Sequence, residues 1–352
     1  MKDCNGNSSS VDSPDAPVVI TGAAGFIGQH LVRQLLQAGA HVRAITRQPA
    51  QFLLPTRSGP PPAAAEQRRL DILPHPGNGT AAAWLPLLAD ARAIIHCAGI
   101  AHLPLGADRA RQRQLRRVNV EEPRRIAQAA AQAQVKQLIF LSSIKAAGEW
   151  SRPGHPLREN DPPRPEDCYG WAKRAAERHL QRQQRQADNP LSITILRLPL
   201  VYGPGVKANF AALQKLAASG LPLPLGSIDN QRSFLAIDNL CSAIQTILAR
   251  PEQASGLFHL SDGPALSTPE LIRALASAAG KPARLLRCPP ALLGSLARLV
   301  GQAGAWQRLS GSLAVDNQLF CRQFDWRPAL DCSEALARLH SQDRMSPRRG
   351  TP

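Results

Sequence analysis

A tyrosine and a lysine four residues apart indicate where the chain could transfer a proton. In the stretch CYGWAKRAAE, Tyr169 and Lys173 occupy positions i and i+4, which lie on one face of a helix. The phenol could exchange a proton with a substrate oxygen, and the ammonium would lower the pKa of that phenol. Because the same spacing also occurs on solvated helix surfaces, its meaning depends on the elements around it.

A strand that ends in serine would bring further polar groups to this pair. The segment QLIFLSS is apolar enough for a buried strand and ends in Ser142 and Ser143. Because ligands of parallel sheets bind at the carboxyl ends of strands, we expect Ser143 to hydrogen-bond the same substrate oxygen as Tyr169. Asn119, in VNVEEP, is a further candidate, but Pro123 could perturb the helix that carries it.

A glycine-rich turn near the start of the chain predicts a dinucleotide site. The pattern GxxGxxG lies directly between a short apolar strand and apolar residues at helical spacing. Glycines there let the backbone approach a pyrophosphate, whose negative charge the helix N-terminus favours. Lys173 would bind the nicotinamide ribose. The other residues expected to bind the cofactor are Gly22, Gly25, Phe26, Ile27 and Gly28 of this turn, and Ala98.

The end of the second predicted strand favours NADP(H), with NAD(H) as the alternative. An acidic residue there would bind the ribose 2′-OH of NAD, whereas this chain has Ile45, Thr46 and Arg47. Arg47 could pair with a 2′-phosphate, or it could be an ordinary solvated residue. Asp71, in RRLDI, could contact the adenine ring or cap a loop.

The order of predicted elements indicates an α/β fold. Strands alternating with helices imply a Rossmann-type, doubly wound parallel sheet, and the frequent proline and glycine after Tyr202 suggest a smaller C-terminal substrate lobe. The expected strands are 18–21, 42–46, 93–99, 137–143 and 192–199, with helices at 109–133 and from residue 169. The expected divisions are a disordered tail at 1–16, an NAD(P)-binding domain at 17–202, a mainly substrate-binding lobe at 203–340 whose residues 256–262 return to the main sheet, and a disordered tail at 341–352.

Composition narrows the partners that the protein could have. The formal charge of +16 comes largely from scattered arginines, and only 4% of residues are aromatic, so we expect no nucleic-acid partner. A basic surface can instead favour anionic substrates. The seven cysteines form no CxxC pair and have no histidine at metal spacing, so we expect reduced thiols and no metal site.

The sequence also predicts a cytoplasmic protein, for which a homodimer is possible. No apolar run is long enough to span a bilayer, and the polar first residues lack the apolar core of a signal peptide. The segment ALLGSLARLV, residues 291–300, is too short to span a membrane and carries Arg298. A core helix is the favoured interpretation of this segment, with peripheral membrane contact as the alternative.

Several motifs together resemble the extended short-chain dehydrogenase/reductases, in particular the nucleotide-sugar epimerase/dehydratase family. These motifs are TGAAGFIG, HCAG, FLSS, YGWAK, RLPLVYGPG and RSFLAIDNL, and they extend over most of residues 17–330. Four further motifs resemble those of the branch that acts on UDP-N-acetylhexosamines, namely VYGPGVKANF, GLPLPLG, SDGPALSTPEL and GSLAVD. This branch includes UDP-4-keto-6-deoxy-N-acetylhexosamine 4-reductases.

The resemblance implies roles for particular residues and a UDP-sugar as substrate. Ser143, Tyr169 and Lys173 match the catalytic positions of the family. The residues that match positions of nucleotide contact are Asn209, Phe210, Leu223–Leu225, Arg232 for the diphosphate and Arg308 for the UDP ribose. An arginine suits a diphosphate because its guanidinium can form two parallel hydrogen bonds.

Three reactions share this architecture, namely 4,6-dehydration, 4-epimerisation and 4-keto reduction. Dehydratases of this family carry an Asp-Glu pair after the catalytic hydroxyl residue, whereas Ile144 and Lys145 follow Ser143 here. An epimerase retains NAD, whereas a net reductase exchanges its cofactor and suits NADPH, so Arg47 favours a 4-reductase. A UDP-glucose or UDP-N-acetylglucosamine 4-epimerase remains the alternative. A non-catalytic NADPH-binding sensor or assembly factor is a further alternative, against which the intact Ser/Tyr/Lys set argues.

Overall fold

The computed structural model describes residues 15–52, 54, 63–101, 108–186, 191–206 and 208–345, without the side chains of 208–209 and 340–345. The chain divides into two compact units. The first comprises residues 1–146, 167–196 and 244–257, and the second comprises residues 147–166, 197–243 and 258–352. The expected boundary at residue 202 therefore differs from the observed division, in which the chain passes from one unit to the other several times.

A seven-stranded sheet runs in the order β3-β2-β1-β4-β5-β6-β9. Each strand from β3 through β5 is parallel to its neighbour, as expected for a Rossmann-type sheet. Apolar, β-branched residues fill the centre of this sheet, and all four residues of the first strand are buried. The strands are β1 (Val18–Thr21), β2 (Val42–Thr46), β3 (Leu70–Pro74), β4 (Ala93–His96), β5 (Gln137–Ser143), β6 (Ser192–Leu198) and β9 (Gly256–His259).

Helices cover this sheet and fill the first unit. Helix α1 packs against β1 and β2, while α5 and α6 pack against β5. Trp84, Leu88 and Phe140 belong to a fully buried apolar cluster beside the sheet. The helices up to β6 are α1 (Phe26–Gln37), α2 (Ala64–Gln67), α3 (Leu85–Leu88), α4 (Arg109–Arg116), α5 (Glu122–Gln132) and α6 (Cys168–Gln184).

The helix expected at 109–133 is interrupted. A π-helical turn, Arg117–Glu121, separates α4 from α5. Pro123 lies in the first turn of α5, where a helix tolerates proline because the N–H groups of that turn need no intrahelical acceptor. The proline is thus accommodated by the local change in helix geometry.

The second unit is built around a small parallel sheet and a helical core. Strands β7 (Leu200–Tyr202) and β8 (Phe234–Ala236) pair in parallel. The carboxylate of buried Asp262 accepts hydrogen bonds from the Tyr202 hydroxyl at 2.8 Å and from the Asn239 amide at 2.7 Å. The remaining helices are α7 (Ala208–Ala218), α8 (Ile237–Ala249), α9 (Thr268–Ala278), α10 (Pro290–Leu299), α11 (Ala303–Ser310), α12 (Gln318–Phe324) and α13 (Cys332–Met345).

Two expectations about the second half of the chain are wrong. The segment 291–300 forms α10, but only Gly294 of that helix is buried, so α10 is not a core helix. Helix α13 continues to Met345, five residues into the segment 341–352 that composition assigned to a disordered tail. Within the part of the chain that the structure describes, none of the helices combines the length and apolar character that a membrane crossing needs.

Candidate functional site

The glycine-rich turn leaves the N-terminus of α1 open. Gly22 has φ of +69°, and a Cβ there would lie 2.7 Å from the backbone nitrogen of Ala98. A Cβ on Gly28 would collide with the Gly22 carbonyl oxygen. At Gly25, the N-cap position, no side chain caps the helix, so its first N–H groups stay free for an anion. Two glycines thus permit close backbone packing, and the third keeps the helix end accessible.

The cavity beside this turn is formed by the end of β2. It has a volume of about 500 Å³ and is open to solvent. Its lining residues are Ala24, Thr46, Arg47, Gln48, Gln51 and Phe52. Arg47 is exposed and is the charged residue among them, so the lining offers a positive charge and no carboxylate. This composition suits an additional phosphate better than a bare ribose hydroxyl pair.

Asp71 lies away from this edge of the sheet. It pairs in register with Arg43, three positions before β2 and β3 end at Thr46 and Pro74. That distance is about 10 Å along the strand. The Asp71 carboxylate lies 3.0 Å from Nε2 of His41 and 3.8 Å from Nε of Arg43. These contacts favour a structural role for Asp71 over the adenine contact considered from the sequence.

Ser143 and Tyr169 meet at the carboxyl end of β5. Ser143 is the last residue of that strand, and its hydroxyl lies close enough to the Tyr169 side chain to influence the pKa of the phenol. Burial raises the pKa of Tyr169 to about 12, and the Ser143 side chain acts in the opposite direction. The pKa shift is therefore opposite to the lowering expected from the Tyr169–Lys173 spacing, because burial of the phenol outweighs its polar contacts. Tyr169 is protonated at neutral pH and can donate a proton.

An ion pair fixes the start of the helix that carries Tyr169. Asp167 caps α6, where its Oδ1 accepts a hydrogen bond from the Gly170 backbone N–H at 2.7 Å. Its other oxygen, Oδ2, accepts a hydrogen bond from Lys145 Nζ, also at 2.7 Å. Lys145, which replaces the dehydratase-type carboxylate, thus holds the capping residue in place. Tyr169 lies in the first helical turn beyond this cap.

Lys173 is enclosed behind Tyr169. Its side chain is 3% exposed, and Nζ donates a hydrogen bond to the Leu141 carbonyl oxygen at 2.8 Å. Nζ also lies 4.6 Å from the centre of the Phe140 ring. Burial lowers the pKa of Lys173 to about 8, while nearby acidic groups, including Glu177, raise it. A lysine in this environment loses its proton more readily than one in solvent.

Asn119 supports the chain that follows β4. Its side chain is fully buried, accepts a hydrogen bond from the Ile100 N–H at 2.8 Å and donates one to the Ile100 carbonyl oxygen at 2.9 Å. Both of its polar groups therefore hold one residue of this loop. Asn119 positions the segment next to Lys173, since a Cβ on Gly99 would lie 3.4 Å from both Asn119 Oδ1 and Lys173 Nζ.

Sequence reasoning missed a buried polar network behind the site. Ser142 Oγ donates a hydrogen bond to Glu177 Oε1 at 2.7 Å, and Arg174 pairs with Oε2 of the same carboxylate at 3.1 Å. Glu177 is fully buried and lies four residues after Lys173. The i+4 spacing of Lys173 and Glu177 was a signal that could have identified this carboxylate, because both side chains share one helix face.

A second buried group adjoins the end of β4. The Thr21 hydroxyl and Nδ1 of His96 lie 2.6 Å apart, and the His96 imidazole stacks on Phe140. Burial lowers the pKa of His96 to about 4, so the ring is neutral. Oε2 of Glu122 lies 3.2 Å from Nε2 of His75. Among the described residues, no three His, Cys, Asp or Glu side chains are grouped as a metal site would require.

In the second unit, the fold brings two predicted anion-binding arginines together. Arg232 is half-buried, and one of its terminal nitrogens donates to the Gly311 carbonyl oxygen at 3.0 Å. Burial and the positive charge of Arg308 both lower the pKa of Arg232. Within the described residues, neither guanidinium forms an ion pair with a carboxylate. Two like charges in proximity favour an anionic ligand.

The other predicted nucleotide contacts differ in their placement. The side chain of Asn209 lies outside the described residues. Phe210 is buried and stacks on Tyr202, with ring centres 5.4 Å apart, so it belongs to the core of the second unit. The Leu223 N–H donates to the Arg284 carbonyl oxygen and is therefore engaged, whereas the Leu223 carbonyl oxygen, which accepts from the Leu286 N–H, keeps a second lone pair.

The chain is similar to known proteins over most of its length. A family model described as the NAD dependent epimerase/dehydratase family matches residues 18–258. A UDP-glucose 4-epimerase of Vibrio cholerae is 34% identical over 322 residues, which cover 91% of this chain and 93% of the relative. A ceramide reductase of Caulobacter vibrioides is 29% identical over 319 residues, which cover 89% and 86%. Among solved structures, MoeE5 in complex with UDP-glucose and NAD has a TM-score of 0.70, covers 93% of this chain and 98% of its own, and is 24% identical.

Proposed function

This chain belongs to the NAD-dependent epimerase/dehydratase family of short-chain dehydrogenase/reductase enzymes, and on that premise we propose that it moves a hydride at C4 of a UDP-hexose. The observation that carries the proposal is the placement of Tyr169 beside Ser143, the last residue of β5, with Lys173 one turn further along the same helix. The carboxyl end of β5 lies at the edge of a parallel sheet at which ligands bind.

Tyr169 acts as the proton donor to the oxygen on C4. Its raised pKa keeps the hydroxyl protonated at neutral pH, which is the form needed when a 4-keto group is reduced. Ser143 donates a hydrogen bond to the same substrate oxygen and holds it close to the phenol. The Lys173 ammonium resupplies the proton that Tyr169 gives to the oxygen on C4, and Lys173 also binds the nicotinamide ribose. A lowered pKa suits this group to proton exchange near neutral pH.

The residues of the glycine-rich turn fit a nicotinamide dinucleotide. The uncapped N-terminus of α1 would receive the pyrophosphate, and the close approach of Gly22 and Ala98 forms the wall beside it. When bound, the nicotinamide supplies or accepts the hydride. Arg47 would pair with a 2′-phosphate, and this pairing is the reason to propose NADP(H) over NAD(H) for this chain.

Arg232 and Arg308 provide the proposed anchor for the UDP diphosphate. A half-buried guanidinium without a carboxylate partner can form charge-assisted hydrogen bonds to phosphate oxygens. Such bonds hold the nucleotide part of the substrate, which does not react. Binding energy from this remote part then orients C4 for reaction.

Net reduction of a UDP-4-keto-6-deoxy-N-acetylhexosamine is the reaction we propose first. The lining of the β2 cavity favours NADP(H), and a reductase exchanges its cofactor at each turnover. Epimerisation at C4 is the second candidate, because the Vibrio cholerae relative, which matches over 91% of this chain, is named a UDP-glucose 4-epimerase. Both reactions use the same proton donor and the same hydride position.

Incubation of the purified protein with UDP-sugars distinguishes these reactions. The substrates are UDP-glucose, UDP-N-acetylglucosamine and an enzymatically prepared UDP-4-keto-6-deoxy-N-acetylhexosamine, each with NADH and NADPH. A reductase consumes one reduced cofactor for each 4-keto sugar that is converted, as measured by absorbance and NMR. An epimerase interconverts the C4 epimers of UDP-glucose or UDP-N-acetylglucosamine with no net consumption of cofactor. The inactive control is Tyr169→Phe. If wild type converts none of the three substrates, both proposals are refuted.

A further inference from the structure

Helix α10 exposes a continuous apolar stripe. Leu292, Leu296, Leu299 and Val300 are 54%, 51%, 82% and 69% exposed. At 100° per residue these four positions cover about 100° of the helix surface, the width of a typical buried face. Leu286, just before the helix, is 54% exposed as well. Of the twelve large apolar side chains exposed among the described residues, these five fall within fifteen consecutive positions.

The opposite face of α10 is anchored to the protein. Gly294 is buried, and a Cβ there would lie 2.9 Å from Nε1 of Trp306 on α11. Leu293 and Trp306 pack against the apolar core of the second unit. Because this inner face already has its partner, the outer stripe is not held in place by the core of its own unit.

The segment around this stripe is basic and contains no acid. Between residues 271 and 315 there is no Asp or Glu. The basic residues in this interval, all exposed, are Arg273, Lys281, Arg284, Arg287, Arg298 and Arg308. An exposed apolar stripe inside a segment of charge +6 is complementary to a surface that is both anionic and apolar just beneath its charges.

We infer that α10 docks in the plane of an anionic phospholipid membrane. The four apolar side chains of the stripe enter the boundary between headgroups and acyl chains, while Arg287, which is exposed just before the helix, contacts lipid phosphates. The helix has ten residues and lies on the surface without crossing the bilayer. The attachment is reversible, since it combines a small buried apolar area with electrostatic attraction that salt screens.

Vesicle flotation with the full chain tests this inference. Wild type is mixed with vesicles of phosphatidylcholine alone, or of phosphatidylcholine with about one third phosphatidylglycerol, at low and high salt. Wild type should float with the anionic vesicles at low salt and be released at high salt. The double variant Leu296→Ser/Leu299→Ser should bind at least about tenfold more weakly, and Arg287→Gln should bind about fivefold more weakly, the effect of one charge lost near an anionic surface.

A matched variant and an oligomer measurement complete the test. Leu319→Ser, which alters an exposed leucine on α12, should bind like wild type, and circular dichroism should show that every variant is folded. Wild type that stays unbound on anionic vesicles at low salt would overturn the inference. A wild type that is dimeric by light scattering, and that Leu296→Ser/Leu299→Ser converts to a monomer without any change in flotation, would show that α10 contacts a second copy of the chain and would overturn it equally.

Discussion

The proton donor and the lysine behind it should be separable at the level of single residues. Tyr169→Phe keeps the ring and removes only the hydroxyl beside Ser143, so we expect turnover to fall by about 100-fold or more. Dinucleotide affinity and melting temperature should stay near wild type. Lys173→Met should lose activity and also weaken dinucleotide binding, measured by calorimetry, because the proposed role of the ammonium includes binding the nicotinamide ribose. If Tyr169→Phe retains turnover on the substrate that wild type converts, Tyr169 is not the donor.

Because Lys173 is buried, the free energy of unfolding should change with pH in the alkaline range. Its pKa is lowered from 10.5 to about 8, so between these values the unfolded chain holds a proton that the folded chain has released. Stability contributed by this group therefore rises with pH, and the cost of the buried charge is fully present below about pH 8. The free energy of unfolding of wild type, relative to Lys173→Met, should increase by roughly 3 kcal/mol between about pH 8 and pH 10.5.

Urea unfolding at several pH values measures this difference, because other titrating groups are common to both proteins. Glu177 raises the pKa of Lys173, so Glu177→Gln should shift the rise in stability to lower pH. Parallel stability curves for wild type and Lys173→Met would contradict the assignment of a lowered pKa.

At the scale of elements, the start of α6 should control the geometry of Tyr169. Asp167→Ala removes the N-cap and the partner of Lys145, so we expect a loss of about 1 kcal/mol in stability. It should also lower kcat, because Tyr169 lies in the first turn. Asp167→Asn can still cap and should recover most of the stability.

The N-cap of α4 provides the control for this prediction. Asp108 accepts a hydrogen bond from the Arg111 N–H at 2.8 Å, in a helix without a catalytic candidate. Asp108→Ala should lower the melting temperature by a similar amount while kcat stays near wild type. If Asp108→Ala and Asp167→Ala lower kcat equally, the loss in Asp167→Ala reflects lower overall stability and not a changed geometry of Tyr169.

The end of β2 should determine cofactor choice. Arg47→Asp places a carboxylate where NAD-binding chains carry one, so the preference should move from NADPH toward NADH by about tenfold or more. Arg178→Asp makes the same change of charge at an exposed position of α6 and should leave the ratio unchanged. The kcat/KM ratio for the two cofactors gives the answer, and wild type that already prefers NADH would contradict the assignment of Arg47.

At the scale of the whole molecule, the two units should bind their ligands separately. Arg232 belongs to the second unit and Arg47 to the first. Arg232→Ala should weaken UDP binding by roughly tenfold or more, the effect of a lost charge-assisted bond, and leave dinucleotide binding unchanged. Arg47→Asp should weaken NADPH binding and leave UDP binding unchanged. Calorimetric titration of each variant with UDP alone and with dinucleotide alone forms the complete comparison, and equal weakening of both ligands by either variant would indicate a general structural defect.

The sequence by itself determined the fold class and the cluster at the end of β5. The glycine turn, the strand that ends in Ser143 and the start of α6 are local patterns, and alternating strands and helices leave few alternatives to a parallel sheet. These features could be read because each depends on residues that are near one another in the chain.

Only the tertiary structure decided the environment of each group. It reversed the expected pKa shift of Tyr169, gave Asp71 partners at the amino half of the sheet and placed α10 at the surface. It also brought Arg308 close to Arg232 across 76 positions of sequence. Burial and through-space charge depend on which distant segments pack together, and no local pattern in the chain specifies that packing.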